Sequence, residues 1–296
     1  MAKAELINGI VCPACKGELN KGESDRRCEV CGVSFPEIDG IPMMMLDAND
    51  IVLQPEVKSP VGGGGGFLRK AFSLMIKSIP TGYHSPITAE NFGFLRENTP
   101  AGAACLAVGG GIDAFGKDIA HLGKDILADL VNLEVLPGPV VDLVADGHDI
   151  PFPDETFDLI ISQAVLEHVK RPRRVVAEML RVLKPGGLIF VDVPFIANVH
   201  MYSDFWRYTP RGLDELMQDF EPLRSGQNAG LGAAAALINS ELMAAVLSCG
   251  NTRYFYRLRR ICRRLTSWQR CWDKILEKTS LPPDAPNSIY FIGRRN

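Results

Sequence analysis

Two cysteine pairs near the start of the chain, Cys12-Pro-Ala-Cys15 and Cys28-Glu-Val-Cys31, stand twelve residues apart. Each CxxC closes a tight turn that aims two thiolates at one centre, and four thiolates at this spacing suit a tetrahedral zinc with no open coordination position. A module of about 45 residues is too small to be held by its own apolar core, so a metal would supply much of its folding free energy. The expected role of Cys12, Cys15, Cys28 and Cys31 is therefore a structural zinc staple. The other four cysteines, Cys105, Cys249, Cys262 and Cys271, are scattered singly, which suits a reducing cytoplasm better than a disulfide framework. Met1 to Val11 lacks the basic and apolar regions of a secretion signal, in keeping with a cytoplasmic location.

With 296 residues, 46% of them hydrophobic, the chain can bury one full-sized core and carry a small appended module. The expected division is a ribbon over residues 1–50, a Gly-rich linker over 51–66 containing the run Gly62 to Gly66, and a second domain over 67–296. Leu68, Ala71, Phe72, Met75, Ile76 and Ile79 predict a short amphipathic helix at the start of that domain.

From Ala103 onward, apolar runs of strand length alternate with helical stretches: Cys105 to Val108, Val131 to Val135, Val140 to Val144, Phe157 to Ser162 and Leu188 to Val193. Such an alternation predicts an α/β fold whose parallel sheet is covered on both faces. Between Pro172 and Leu183 the apolar residues Val175, Val176, Met179, Leu180 and Leu183 form one helical stripe, which Pro185-Gly-Gly would end. Ser288 to Arg294 reads as a last strand, and about 230–281 as a helical insertion.

Glycines at Gly109, Gly110 and Gly111 close the first strand of the sheet, where a backbone without side chains can approach a nucleoside cofactor or simply make a tight turn. Glu134 ends the next strand, where a carboxylate can accept both ribose hydroxyls, with Asp129 in reserve. Asp146 follows the third strand, where it can accept the amino group of adenine or be a solvated loop acid.

The run Val144-Ala-Asp-Gly-His-Asp-Ile-Pro-Phe-Pro-Asp-Glu-Thr-Phe-Asp-Leu-Ile-Ile-Ser-Gln-Ala-Val-Leu-Glu-His-Val, followed by Glu178-Met-Leu-Arg-Val-Leu-Lys-Pro-Gly-Gly, resembles the class I S-adenosylmethionine-dependent methyltransferases, type 11-like, over roughly residues 100 to 220. The resemblance implies a Rossmann-like seven-stranded sheet, S-adenosylmethionine as cofactor, and a cofactor site lined by Gly109, Gly111, Glu134, Asp146, Gly147, His148, Ser162 and Gln163. Two positions depart from the pattern: Ala107 where the family usually has an acid, and Asp113 where it usually has a glycine. Residues 6 to 48 resemble the ribbon family that includes the small activator protein of eukaryotic and archaeal methyltransferases, which implies a structural or substrate-presenting ribbon.

Ser162-Gln-Ala-Val replaces the Asn/Asp-Pro-Pro-Tyr/Phe of enzymes that methylate adenine N6 or glutamine amides, which argues for another acceptor: a small molecule or a glycan-type hydroxyl or nitrogen. The sequence does not identify it and points to no stable partner. For such an acceptor a base has to remove a proton, and His200, His168 and Asp192 are placed for it by their positions after the fourth strand and around the fifth; His168 also suits a capping role. Two other functions fit: an rRNA-type methyltransferase gripping RNA with its ribbon, and a non-catalytic scaffold with an altered glycine loop. The net charge of −3 argues against a globally basic nucleic-acid surface. From Arg253 to Lys274, however, eight basic residues face one acid, a patch suited to RNA, to an anionic membrane in a peripheral association, or to a solvated lid. Asn239, Ser240 and Glu241 interrupt the apolar stretch beside it and argue against a membrane span.

Overall fold

The computed structural model of the chain describes residues 2–46, 86–112, 117–199, 203–279 and 284–296. The glycine linker, the helix expected over 67–79, Asp113 and His200 lie outside the described residues.

A short helix α1 (Lys3–Asn8) leads into a four-stranded antiparallel sheet, β1 (Leu19–Lys21), β2 (Asp25–Cys28), β3 (Ser34–Ile38) and β4 (Ile41–Pro42), in that spatial order. The rest of the fold is a seven-stranded sheet built from β5 (Cys105–Val108), β6 (Leu130–Glu134), β7 (Leu143–Val144), β8 (Phe157–Gln163), β9 (Leu183–Pro194), β10 (Glu221–Ala229) and β11 (Ser288–Arg294). Its order is β10-β11-β9-β8-β5-β6-β7. Strands β5 to β9 run parallel, and β11 is antiparallel to both its neighbours. This is the seven-stranded class I methyltransferase sheet that the resemblance implied.

Alternate residues of each strand enter the cores on the two faces. Leu106 and Val108 of β5, with Ile189 and Val191 of β9, join one cluster, whereas Cys105, Ala107, Leu188 and Phe190 join the other. The second face is covered by α2 (Pro86–Asn98) through Phe92 and Leu95, and by α3 (Lys124–Asp129) through Ile126. The first is covered by α4 (Pro172–Val182), through Val175, Val176, Met179 and Val182, and by α5 (Pro210–Leu216), through Leu213 and Leu216.

Two local expectations change, and one strand forms where none was expected. Pro185-Gly186-Gly187 lies inside β9 rather than ending a helix, because Gly186 takes φ +77° and its N–H bonds Arg295 O while Arg295 N bonds back to Gly187 O. β7 is only two residues long, since Val140 O is diverted to the Asn132 side chain. β10, which carries little apolar alternation, forms through its partner β11, with two register shifts.

The ribbon docks on the outer edge of β7. Met43 makes a parallel bridge to Val144, Met44 N donates to Val144 O at 2.7 Å, and Val11 N donates to Pro151 O at 3.0 Å. Lys16 pairs with Glu178 at 2.8 Å and Lys3 with Asp142 at 3.0 Å. Burial alone would raise Glu178, but Arg181 and Lys16 hold it below the usual carboxylate range. Leu6, Ile10, Phe35 and Met44 belong to the same apolar cluster as Leu143, Val131 and Val175.

The shared core predicts that ribbon and sheet unfold as one cooperative unit. Scanning calorimetry should show a single transition that a zinc chelator lowers, and Met44→Ala should cost roughly 2–5 kcal/mol of stability. Two separate peaks would contradict the shared core.

Candidate functional site

In open parallel sheets, ligands bind outside the carboxyl ends of the strands where the order reverses. Here the reversal falls at β5, which pairs with β6 on one side and β8 on the other. The glycine segment that leaves β5 sits there. Gly109 takes φ +72°, and a Cβ built on it would lie 2.3 Å from Val165 Cγ2, so only glycine fits. Gly111 also has a positive φ, +102°.

Asn132 of β6 holds this segment from beneath. Its Oδ1 accepts from Gly110 N at 3.1 Å, and its Nδ2 donates to Gly111 O and Val140 O, both at 2.9 Å. Glu134, two residues on and therefore on the same face of the strand, accepts from Gly111 N at 2.8 Å. Thus the carboxylate expected to meet a ribose stands directly against the glycine segment. Ala107 is buried in the second core cluster, where its small methyl packs against apolar neighbours.

After β7, a 3-10 turn over Gly147–Asp149 is capped by Asp146, whose Oδ1 accepts from His148 N at 2.9 Å and from His148 Nδ1 at 2.5 Å. A carboxylate can only accept, so the imidazole carries its proton on Nδ1; Nε2 then accepts from Arg171 N at 3.3 Å. The buried His148 ring is thus engaged with protein at both nitrogens and orients Asp146. Burial works against the Asp146 carboxylate, but the two hydrogen bonds from His148 bring it below its ordinary range.

The fourth strand end delivers Ser162, Gln163 and the segment behind them. Ser162 Oγ is buried with no hydrogen-bond partner among the described residues, and Gln163 lies in register with Asp192 of β9. Ala164 takes φ +54°, unusual for a residue with a side chain, and its N–H bonds Asp192 O at 2.9 Å. Residues 203–208 are strapped over residues 166–169: Tyr208 Oη donates to Leu166 O, Phe205 N to Glu167 O, and Trp206 Nε1 to Val169 O. Arg207 pairs with the buried Asp204 and donates to Ala197 O and Asn198 O, which ties the strap to the segment leaving β9.

Beneath this strap lies Glu167, 1% exposed, its Oε2 without a hydrogen-bond partner among the described residues. Burial first, then the charges of Asp192 and Asp204, push its carboxyl up to about 7. Its Oε1 stands 3.9 Å from His168 Nε2, while His168 Nδ1 donates to Ser203 O at 2.6 Å. Asp192 Oδ2 accepts from Asn228 Nδ2 at 2.6 Å, and Asn228 Oδ1 accepts from Thr88 Oγ1 at 2.6 Å. The structure therefore brings His168 and Asp192 to the same end of the sheet. The sequence does not single out Glu167, Asn132 or Asn228. An acid inside the otherwise apolar run Val165-Leu166-Glu167 is the one available signal.

The four ribbon cysteines form a second site. Cys12 and Cys31 sulfurs lie 3.6 Å apart, Cys15 and Cys28 sulfurs 3.4 Å apart, and all four fall within 4.8 Å of one another. Sulfurs bound at about 2.3 Å to a tetrahedral zinc stand roughly 3.8 Å apart, so the cluster fits that metal. The Cys31 backbone N–H draws the Cys28 thiol down to about 6, whereas burial pushes the Cys12 thiol up.

Residues 104–191 match the methyltransferase domain family. The chain is 34% identical over 100 residues to an uncharacterised protein of Methanocaldococcus jannaschii, covering 33% of this chain and 48% of that protein. It is 31% identical over 156 residues to a ubiquinone/menaquinone biosynthesis C-methyltransferase of Saccharophagus degradans, covering 50% and 59%. The chain thus spans about half the length of the curated relatives it matches. Among solved structures, phosphoethanolamine N-methyltransferase 2 of Haemonchus contortus, in complex with S-adenosyl-L-methionine, is 14% identical, covering 70% of this chain and 52% of that one at a TM-score of 0.44.

Asn132→Ala removes three hydrogen bonds around the glycine segment and strands Gly111 O and Val140 O. It should weaken S-adenosylmethionine binding about tenfold or more and cost about 1–3 kcal/mol of stability, read by calorimetric titration and thermal melting. Unchanged affinity in a folded variant would show that the segment keeps its shape without Asn132. Residues 104–191 match the methyltransferase domain family, and the strands they contribute lie in a seven-stranded sheet of the order expected from the resemblance to class I members.

Proposed function

We propose that the chain binds S-adenosylmethionine across the ends of β5 to β8 and methylates a hydroxyl or nitrogen of a small-molecule or glycan-type acceptor. The observation that carries this reading is the Glu134 carboxylate set 2.8 Å from Gly111 N, beside the glycine segment and one strand away from the capped Asp146. When bound, the cofactor supplies an electrophilic methyl on a sulfonium. In this reading Gly109 and Gly111 admit it, Glu134 accepts the ribose hydroxyls, and Asp146, held by His148 and followed by Gly147, accepts the adenine amino group. Ser162 and Gln163 line the end nearer the methionine moiety.

Methyl transfer is an in-line displacement, so the protein mainly aligns the nucleophile and removes its proton. His168 is suited to act as that base, because its Nδ1–H is fixed on Ser203 O, which directs Nε2 toward Glu167. An imidazolium formed there is stabilised by the Glu167 carboxylate once that group is ionised. Asp192, held by Asn228, lies at the neighbouring strand end, and His200 remains a candidate anchor for the acceptor.

Calorimetric titration with S-adenosylmethionine and S-adenosylhomocysteine tests the reading. Micromolar binding abolished by Glu134→Ala, with zinc content unchanged, is the expected result. No binding by the folded, zinc-loaded chain would overturn it in favour of the scaffold alternative. With an acceptor library, release of S-adenosylhomocysteine should rise through pH 7 as Glu167 ionises, and His168→Ala should lower it roughly 10²- to 10⁴-fold.

The raised carboxyl has an opposite effect on stability. Its contribution is present at acid pH and is lost as pH rises through about 7. Glu167→Gln should therefore be the more stable protein above pH 7 and the less active one. Full activity in Glu167→Gln would remove Glu167 from the mechanism.

A further inference from the structure

Beyond β10 the chain forms two packed helices, α6 (Leu231–Leu247) and α7 (Thr252–Thr266), followed by a 3-10 turn over Ser267–Trp272. A surface helix ordinarily buries its large apolar side chains and wets its polar ones. Helix α6 does the reverse: Gly232, Ala233, Ala236, Ser240 and Ala244 face inward, while Ile238, Leu242, Val246 and Leu247 are 52–66% exposed. Tyr254, Leu265, Trp268 and Trp272, on α7 and the turn after it, are exposed as well. An apolar surface of this extent marks an interaction site.

Cations edge it. Arg259 and Arg263 are engaged by Glu241 at 2.6 and 3.3 Å. Arg253, Arg257 and Arg260, at spacings of four and three on α7, are exposed and make no ion pair among the described residues, and neither does Lys274. Arg253 to Lys274 carries +7 in a chain of net charge −3, so the remainder carries −10 and the positive charge is concentrated on this flank. No helix among the described residues is long and apolar enough to cross a membrane.

Opening onto this face is a cavity of about 690 Å³ lined by Ile196, Leu237, Phe255, Glu241 and the same Ile238 and Leu242, among others. One wall is the segment that leaves β9, the strand carrying Asp192; another is α6 itself. We propose that the outer face of α6 and α7 docks on an anionic lipid bilayer, and that this cavity takes the hydrocarbon chain of an acceptor drawn from that bilayer. Unpaired arginines meet anionic headgroups, the two tryptophans suit the interfacial region, and the exposed aliphatic side chains of α6 enter the acyl boundary. A phosphodiester backbone would satisfy the arginines but offers those aliphatic side chains nothing, which is why a bilayer fits better than RNA. The cavity's assignment rests on the methyl-transfer reading; the docking face does not.

The test uses the full, zinc-loaded chain and sedimentation with phosphatidylcholine vesicles with and without phosphatidylglycerol. Binding to the anionic vesicles with a blue shift of tryptophan emission is expected. The triple variant Arg253→Glu, Arg257→Glu, Arg260→Glu should lose about 100-fold in partitioning, and Leu242→Asp with Val246→Asp should abolish it, each with an unchanged melting temperature. Parinaric acid should bind the wild type, whereas Leu237→Trp should lose it while keeping vesicle binding.

Three results would overturn the docking face. One is no vesicle binding. Another is binding to structured RNA that the arginine variant loses and the aliphatic variant keeps. The third is a dimer that Leu242→Asp dissolves, without vesicle binding. Vesicle binding without cofactor binding would instead defeat methyl transfer and leave the docking face standing.

Discussion

Strand β5 is hydrogen-bonded to parallel neighbours on both sides, and that pairing governs where the chain's chemistry is possible. Its two neighbours are continued by segments that lead away in opposite directions, which opens a crevice at its carboxyl end. The glycine segment, Glu134, Asp146 and the Ser162-to-His168 stretch lie at or just after the carboxyl ends of these strands. Burial on both faces makes the strands rigid, so short polar side chains at their ends are held in place by the sheet. Asn132 shows the dependence well. Its side chain is fully buried and bonds three backbone groups of two different turns, and the shape of the glycine segment follows from it.

The ribbon solves a second problem, which is the edge of that sheet. A strand as short as β7 with an unprotected edge would leave backbone groups unpaired beside an apolar core. Met43 and Met44 supply the pairing, and Phe35 and Leu6 extend the core beneath it. The four sulfurs lie close to this contact, since Cys12 and Cys28 are buried in the same cluster. A metal that ordered the ribbon would act on the strand bearing the turn to Asp146 through the Met43 and Met44 pairing to Val144.

At the other end of the crevice, charge is handled by burial and by pairing in different ways. Asp204 is buried but matched by Arg207, Asp192 is held by Asn228, and Glu167 has one oxygen with no partner among the described residues. Burial, with the charges of Asp192 and Asp204 beside it, pushes the Glu167 carboxyl up to about 7. The strap of residues 203–208 maintains this arrangement by backbone contacts that shield Glu167 from water.

Much of this was legible in the residues. The CxxC spacing stated the ribbon because two tight turns converge wherever the rest of the module goes, and the strand periodicity of Cys105 to Val108, Phe157 to Ser162 and Leu188 to Val193 stated the parallel sheet because both faces must be apolar. Glu134 and Asp146 were visible as acids at strand ends. Strand β10 was not visible, since Glu221 to Ala229 is largely polar and becomes a strand only through pairing with β11. Nor was the inverted face of α6, because composition shows that a helix is apolar without showing which side its neighbour covers. The sequence by itself determined local turns, periodicity and metal spacing, all set within a few residues. Only the tertiary structure decided that the ribbon closes the sheet edge, that Asn132 holds the glycine segment and that Glu167 is buried among other acids, because each depends on groups distant along the chain being desolvated together.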